Sequence, residues 1–262
     1  MSASGNGVSA NELLAVMGSR ELKDNSTVFA GVGAPMLASG LAQRMHAPLL
    51  TMVIEGGIVG PRWKPGSLPI STNEMRAAYR AQMLPGITEA FLLAQRGFLD
   101  VGFIGGAQID RHGNLNTTAI GGSYDRPKVR LPGSGGACDL ASLCWRILVV
   151  TPHDRRRFVE KLDFLTTPGY LTGAGAREAA GLAPGGGPYR VITNLAILGY
   201  ADATRRMEVL SLHPGVTLDQ IRAATGFELG VREPLAVTEP PTAHELQILR
   251  EEVDPYRYVL GR

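Results

Sequence analysis

The chain has 262 residues, 26 lysines and arginines against 24 aspartates and glutamates for a formal net charge of +2, and two cysteines. A chain of this length buries a core without staples, and Cys138 and Cys144 stand at neither a zinc-knuckle nor a CxxC spacing, so reduced thiols in a cytoplasmic protein are expected. The interleaved charges argue against a nucleic-acid or membrane surface, no apolar run approaches about 18 residues, and the polar start MSASGNGVSANE lacks the regions of a signal peptide.

Taken in order, ANELLAVMGSREL puts Leu13, Leu14 and Met17 on one helical face, and Asp24, Asn25 and Ser26 break it. TVFAGVGAP reads as a buried strand ending in a glycine turn, and MLASGLAQRM resumes a helical period, which is the entry unit of an open parallel sheet. LLTMVIE is the next strand and ends on Glu55; GPRWKPGSLPIST is a loop. GITEAFLLAQRG is a helix closed by Gly97, and DVGFIGGAQID is a strand running into another glycine turn. RHGNLNTT has hairpin chemistry at Gly113 and Asn114, followed by an extended piece near 128–131, the loop PGSGGA, a helix near 139–143 and the strand RILVVT. Beyond about residue 155 the pattern shifts to short strands, RFVEKLDFL, YRVITNLAILGY and RMEVLSLHPG, with the Gly-rich linker TGAGAREAAGLAPGGGP between the first two. Antiparallel pairing is expected there. Two helices close the chain, TLDQIRAATG from an N-cap at Thr217 and TAHELQILREEV from Thr242 with Glu245 as a capping box. The expectation is one domain over 1–262: an α/β fold with an open, mainly parallel sheet flanked by helices and antiparallel strands added in the C-terminal third.

Three motifs bear on chemistry. GVGAP has the first two glycines of a dinucleotide fingerprint but not the third, and PGSGGAC lacks the lysine and Ser/Thr of a phosphate-binding Walker loop. A bare glycine loop can be a tight turn, or it can aim backbone N–H groups inward as an oxyanion hole. Glu55 ends a parallel strand where open α/β sheets place ligands, with Gly56 and Gly57 leaving room for a bulky reactant; it can equally be the polar start of a loop. The run HDRRRF reads as a solvated turn or as a phosphate contact. His112 and His213 have no second ligand at metal spacing, so no metal is expected and turn or surface roles are assigned to both. Arg62, Lys64 and Arg76 flank the loop after Glu55, where they could hold a distant carboxylate.

Five collinear segments, EGGIVGP, FLDVGFIGGAQIDRHGNLN, LPGSGGACDL, RVITNLAIL and LHPGVTLDQIRAATGFEL, resemble the B subunit of class I coenzyme A transferases, with GGAQID and EGGIVG pointing to the glutaconate CoA-transferase branch. The resemblance spans most of the chain. It implies that Glu55 is the nucleophile and that Gln108 and the loop glycines Gly133, Gly135 and Gly136 serve the oxyanion and coenzyme A. Gly56 departs from the Asn or Ser usual in relatives, which touches substrate preference more than reaction type; Gly56 and Arg62 are the candidate substrate contacts. The resemblance also implies an A-type subunit as partner, coenzyme A thioesters as substrates with no permanently bound cofactor, and ping-pong transfer through a glutamyl-CoA thioester. Same-fold hydrolases and decarboxylases, and a non-catalytic binding module, are the competing readings; the hydrolase and decarboxylase relatives generally lack the glutamate.

Overall fold

The structure, a computed structural model, describes residues 7–261; the polar start at 1–6 and the last arginine lie outside it. In chain order the elements are α1 (Ala10–Arg20), β1 (Thr27–Phe29), α2 (Ala34–Met45), β2 (Thr51–Ile54), β3 (Ile58–Val59), a 3-10 turn at Met75–Ala78, α3 (Ile87–Gln95), β4 (Val101–Ile104), β5 (Gln108–Ile109), β6 (Leu115–Asn116), β7 (Ala119–Gly122), β8 (Pro127–Arg130), α4 (Ala137–Leu143), β9 (Arg146–Val150), α5 (Ala176–Ala179), β10 (Pro188–Ile192), β11 (Ala196–Tyr200), β12 (Met207–Leu212), α6 (Leu218–Ala223), β13 (Gly230–Val237) and α7 (Ala243–Ile248), which runs into a π turn at Leu249–Val253. They group into two compact units, one holding the residues up to Phe103 together with those from Pro240 on, the other Ile104–Glu239.

In the first unit the strand order is β4-β1-β2-β3, with β1 parallel to both β2 and β4 and only the two-residue β3 antiparallel. Val28, Met52, Val53 and Ile54 are fully buried, as expected of parallel strands covered on both faces. Helices α1 and α2 pack closely because Gly18 replaces a side chain at their contact: a Cβ there would lie 3.1 Å from that of Ala38. Ser9 caps α1 in a capping box with Glu12, and the Arg250 guanidinium donates to both Glu12 oxygens at 2.7 and 3.0 Å, so the C-terminal segment is clamped to the start of the chain. Arg20 does the same with Glu245, the capping-box residue of α7.

The second unit has the order β9-β10-β11-β12-β13, with β9 parallel to β10, the hairpins β10-β11-β12 antiparallel, and β13 parallel to β12. The α/β fold with parallel strands, flanking helices and antiparallel additions in the last third is thereby borne out, and Thr217 and Thr242 cap α6 and α7 as read. Two segments differ. RFVEKLDFL is no strand: Asp154 turns the chain, Val159 N–H donates to Ile109 O and Phe158 O accepts from Gly226, so its backbone groups are taken one at a time by different neighbours. GVREPLAV is a strand although it carries Pro234 and is mostly exposed; it lies at the edge of the row, where a missing N–H costs no ladder bond.

The run of three arginines is a turn, with Arg157 paired to Asp154 at 3.2 Å and Arg155 donating to Thr225 O. His213 is buried, contrary to a surface role, and its Nδ1 and Nε2 meet Thr238 Oγ1 and Thr193 O. His153 is buried beside it, stacked on Phe158 with centroids 3.8 Å apart, and burial lowers its pKa to about 4. Its unfolded value of about 6.5 lies above this, so the unfolded chain binds more protons between pH 4 and 6.5 and stability falls as pH falls through that window. The shift corresponds to a loss on the order of 3 kcal/mol. Urea midpoints are expected to drop from pH 7.5 to 4.5, and His153→Gln is expected to flatten that slope; an unchanged slope in the variant contradicts the assignment.

Candidate active site

Strand β2 delivers Glu55 directly. After the buried Met52-Val53-Ile54 run the chain turns, with Gly57 N–H donating to Ile54 O at 2.9 Å and Glu55 and Gly56 at the apex. Glu55 is half-buried, and among the described residues its carboxylate has no hydrogen bond or ion pair. A carboxylate in this condition at the carboxyl end of a parallel strand is uncommitted to the fold and available to a reactant.

The two glycines are required by what surrounds them. Gly57 has φ +85°, and a Cβ on it would lie 2.2 Å from Gly86 Cα and C. At Gly56 a Cβ would meet Asn73 Oδ1 at 2.5 Å and Thr72 O at 2.6 Å, so the loop itself fills the space that a side chain would need. Thr72 and Asn73 therefore hold this position to glycine; the sequence reading did not single them out, and no local signal exists for them.

The three cations after Glu55 separate. Arg76 is paired with Glu74 at 2.5 Å and Lys64 lies over the Tyr79 ring at 4.7 Å. The Arg62 guanidinium has no partner among the described residues, while its backbone N–H donates to Tyr79 O at 3.0 Å and fixes the loop.

In the second unit Gln108 opens β5 and is buried. Its Oε1 accepts from Asn116 Nδ2 at 2.7 Å and from the Asp163 N–H at 3.1 Å, and its Nε2 donates to Asp163 Oδ2 at 2.6 Å. The amide is held at three points with one N–H left over. The β5-β6 hairpin, in register Gln108↔Asn116, continues into Thr117, whose O accepts from Gly133 N–H at 2.8 Å and whose Oγ1 donates to Gly133 O at 2.7 Å. Thr117 thus joins the glutamine hairpin to the glycine loop. Gly133 (φ +97°) spends its N–H on that junction, whereas the Gly135 and Gly136 N–H groups have no acceptor among the described residues. Of the three glycines, the last two are the ones able to donate to a reacting oxygen. Asn116, Thr117 and Asp163 were missed; the first two lie inside a hairpin motif, and nothing local ties Asp163 to a glutamine 55 positions earlier.

The family model described as Coenzyme A transferase matches residues 11–224. The chain belongs to the coenzyme A transferase family. It is 40% identical over 243 residues to the B subunit of 3-oxoadipate CoA-transferase from Pseudomonas knackmussii, covering 92% of each chain. It is 33% identical to the B subunit of glutaconate CoA-transferase from Acidaminococcus fermentans, covering 93% of this chain and 92% of that one. The crystal structure of that glutaconate CoA-transferase superposes with a TM-score of 0.91 at 30% identity over 98% of both chains. The decarboxylase AibA/AibB superposes with a TM-score of 0.80 at 27% identity, covering 96% of this chain and 97% of that one. The coenzyme A transferase family therefore accounts for the fold.

Proposed function

We propose that this chain is the B subunit of a class I CoA-transferase that moves coenzyme A between an acyl-CoA and a carboxylic acid through Glu55. The single observation that carries the reading is the carboxylate itself: half-buried, without a partner among the described residues, and at the end of β2 between a buried strand and two glycines that its surroundings require. In the first half-reaction a Glu55 oxygen attacks the thioester carbonyl, giving a mixed anhydride and CoA thiolate. The thiolate then attacks the Glu55 carbonyl carbon, releasing the substrate's carboxylate and leaving a glutamyl-CoA thioester. An acceptor carboxylate reverses both steps and restores Glu55. Every step exchanges one carboxylate for one thiolate, so no nucleoside triphosphate is consumed and ping-pong kinetics follows.

The tetrahedral oxyanion needs donors already in place; the spare Gln108 N–H and the Gly135 and Gly136 N–H groups are the candidates. Arg62, uncommitted in its own unit, is the group for a second carboxylate on the substrate. An A-type subunit completes the enzyme: both transferase relatives are named as B subunits, and Ile70, Met75, Met83 and Leu84 are exposed on the segment after the nucleophile. The decarboxylase among the structural relatives keeps that chemistry as the alternative.

The experiment is to incubate the chain, with its A-type partner, with acyl-CoA and add hydroxylamine or borohydride. Peptide mass spectrometry is expected to find the modification on Glu55 alone. Turnover with Glu55 unmodified contradicts the reading.

A further inference from the structure

The second unit contains a cleft of ≈ 340 Å³ lined by Arg146, Arg190, Arg205 and Arg232 against only two acids, Glu178 and Asp202. Arg146 opens β9 and Tyr189 and Arg190 lie near the start of β10, so the cleft sits at the amino ends of two parallel strands. The glycine loop precedes α4 and Arg146 follows it, which separates the two places by the helix's length of about 10 Å. The cleft is therefore not the oxyanion site.

Its walls combine charge with aromatic faces. Arg146 and Arg190 lie over the Tyr189 ring at 5.1 and 3.9 Å, and Arg205 over Tyr170 at 5.2 Å. Arg205 is paired with Asp202 and Arg232 with Glu208, whereas exposed Arg146 has no ion pair among the described residues. The indole of Trp145, next to it, is 46% exposed.

Behind the cleft lies Arg177, fully enclosed at 1% exposure. Its guanidinium donates to Pro168 O, Gly169 O and Ala141 O at 2.8 to 3.2 Å; among the described residues it makes no ion pair, Glu178 acting on it only at longer range, and its Nε has no acceptor. Gly187 (φ +124°), which lines the cleft, covers that nitrogen so closely that a Cβ would lie 3.3 Å from it. Tyr200, another lining residue, has a buried hydroxyl that is also without a partner among the described residues. Both groups are enclosed behind the wall, so what the cleft offers a ligand is its rim of guanidiniums and the exposed indole, a surface suited to an acceptor-rich, anionic partner. Guanidinium forks match phosphate oxygens, and indole and guanidinium planes stack on bases.

We propose that this cleft binds a nucleoside phosphate, its phosphates among the arginines and its base against Trp145. Free nucleotides and the ADP end of coenzyme A share this chemistry. The probes are ADP and inorganic pyrophosphate, added to the full chain co-purified with its A-type partner and followed by equilibrium dialysis and tryptophan fluorescence. One ADP per chain is expected, bound more tightly than pyrophosphate, with affinity falling as salt rises and at least tenfold in Arg146→Glu, a rim variant that leaves the fold intact. Trp145→Ala is expected to remove the advantage of ADP over pyrophosphate. An unchanged acyl-CoA KM in Arg146→Glu assigns the site to free nucleotide; a raised KM with unchanged kcat assigns it to the ADP end of coenzyme A. The proposal is overturned if ADP does not saturate, or if Arg146→Glu binds it as the parent does. Glu55→Ala must bind ADP normally, so failure here and failure of the transferase reading are separable.

Discussion

Glu55→Ala is expected to abolish CoA transfer, lowering kcat by about 10⁴- to 10⁶-fold, the range seen when a covalent nucleophile is removed. The structure makes this variant unusually clean. Because the Glu55 carboxylate bonds nothing else in the described chain, its removal should leave stability within about 0.5 kcal/mol of the parent. Activity and stability therefore separate, and equal denaturation midpoints with lost transfer are the expected pair of results. Glu55→Asp retracts the oxygen by one methylene, and a displacement of about 1 Å from the attack geometry costs on the order of 100-fold. Labelled CoA appearing on an acceptor acid at parental rates in Glu55→Ala would end the covalent mechanism. Retention of carbon dioxide or free CoA release in that variant, with no transfer in the parent, would move the chain to the decarboxylase or hydrolase reading.

Gln108 offers a graded contrast. Losing one oxyanion donor typically costs about 2.7 to 4 kcal/mol in the barrier, far less than losing the nucleophile. Yet Gln108→Ala also strands Asp163 and Asn116, two partners of a largely buried amide, so that variant lowers stability as well as rate. Glu55 and Gln108 thus differ in kind: one is uncommitted to the fold, the other is part of its framework.

How much of this was legible follows the same division. The strands ending at Glu55 and at Ile104, the hairpin at Gly113, and the caps at Ser9, Thr217 and Thr242 rest on local rules of burial, turn geometry and orphan N–H groups, of which the sequence reading used all but the Ser9 cap. What escaped is tertiary. Asp163 meets Gln108 only because the segment read as a strand is instead held residue by residue, Arg177 is buried inside a stretch whose composition reads as linker, and β13 survives its proline only because it is an edge. The carboxylate itself stood out from a strand pattern, but its having no partner among the described residues is a property of the fold, and the reason for Gly56 lay in a loop sixteen residues on.

Gly57→Ala is expected to destabilise the chain by about 2 to 4 kcal/mol and to cost about 100-fold in kcat. Two effects combine at this position, a left-handed φ of +85° and a Cβ that would sit 2.2 Å from the Gly86 backbone. Gly33 separates them, since it has the same φ of +85° but no atom within 4 Å of its would-be Cβ. Gly33→Ala should therefore show a conformational cost alone, about 1 to 3 kcal/mol, with transfer preserved. The excess in Gly57→Ala measures the contact with Gly86, and because Gly86 is backbone that cannot rotate away, the strain must move one of the two segments. One of them carries Glu55 two residues upstream, which is why the rate should fall with the stability. Urea denaturation with unchanged m-values and parallel transfer assays on both variants provide the check. Equal destabilisation of the two, with kcat intact in Gly57→Ala, would mean that Gly86 yields and that the glycine pair does not set the nucleophile's position.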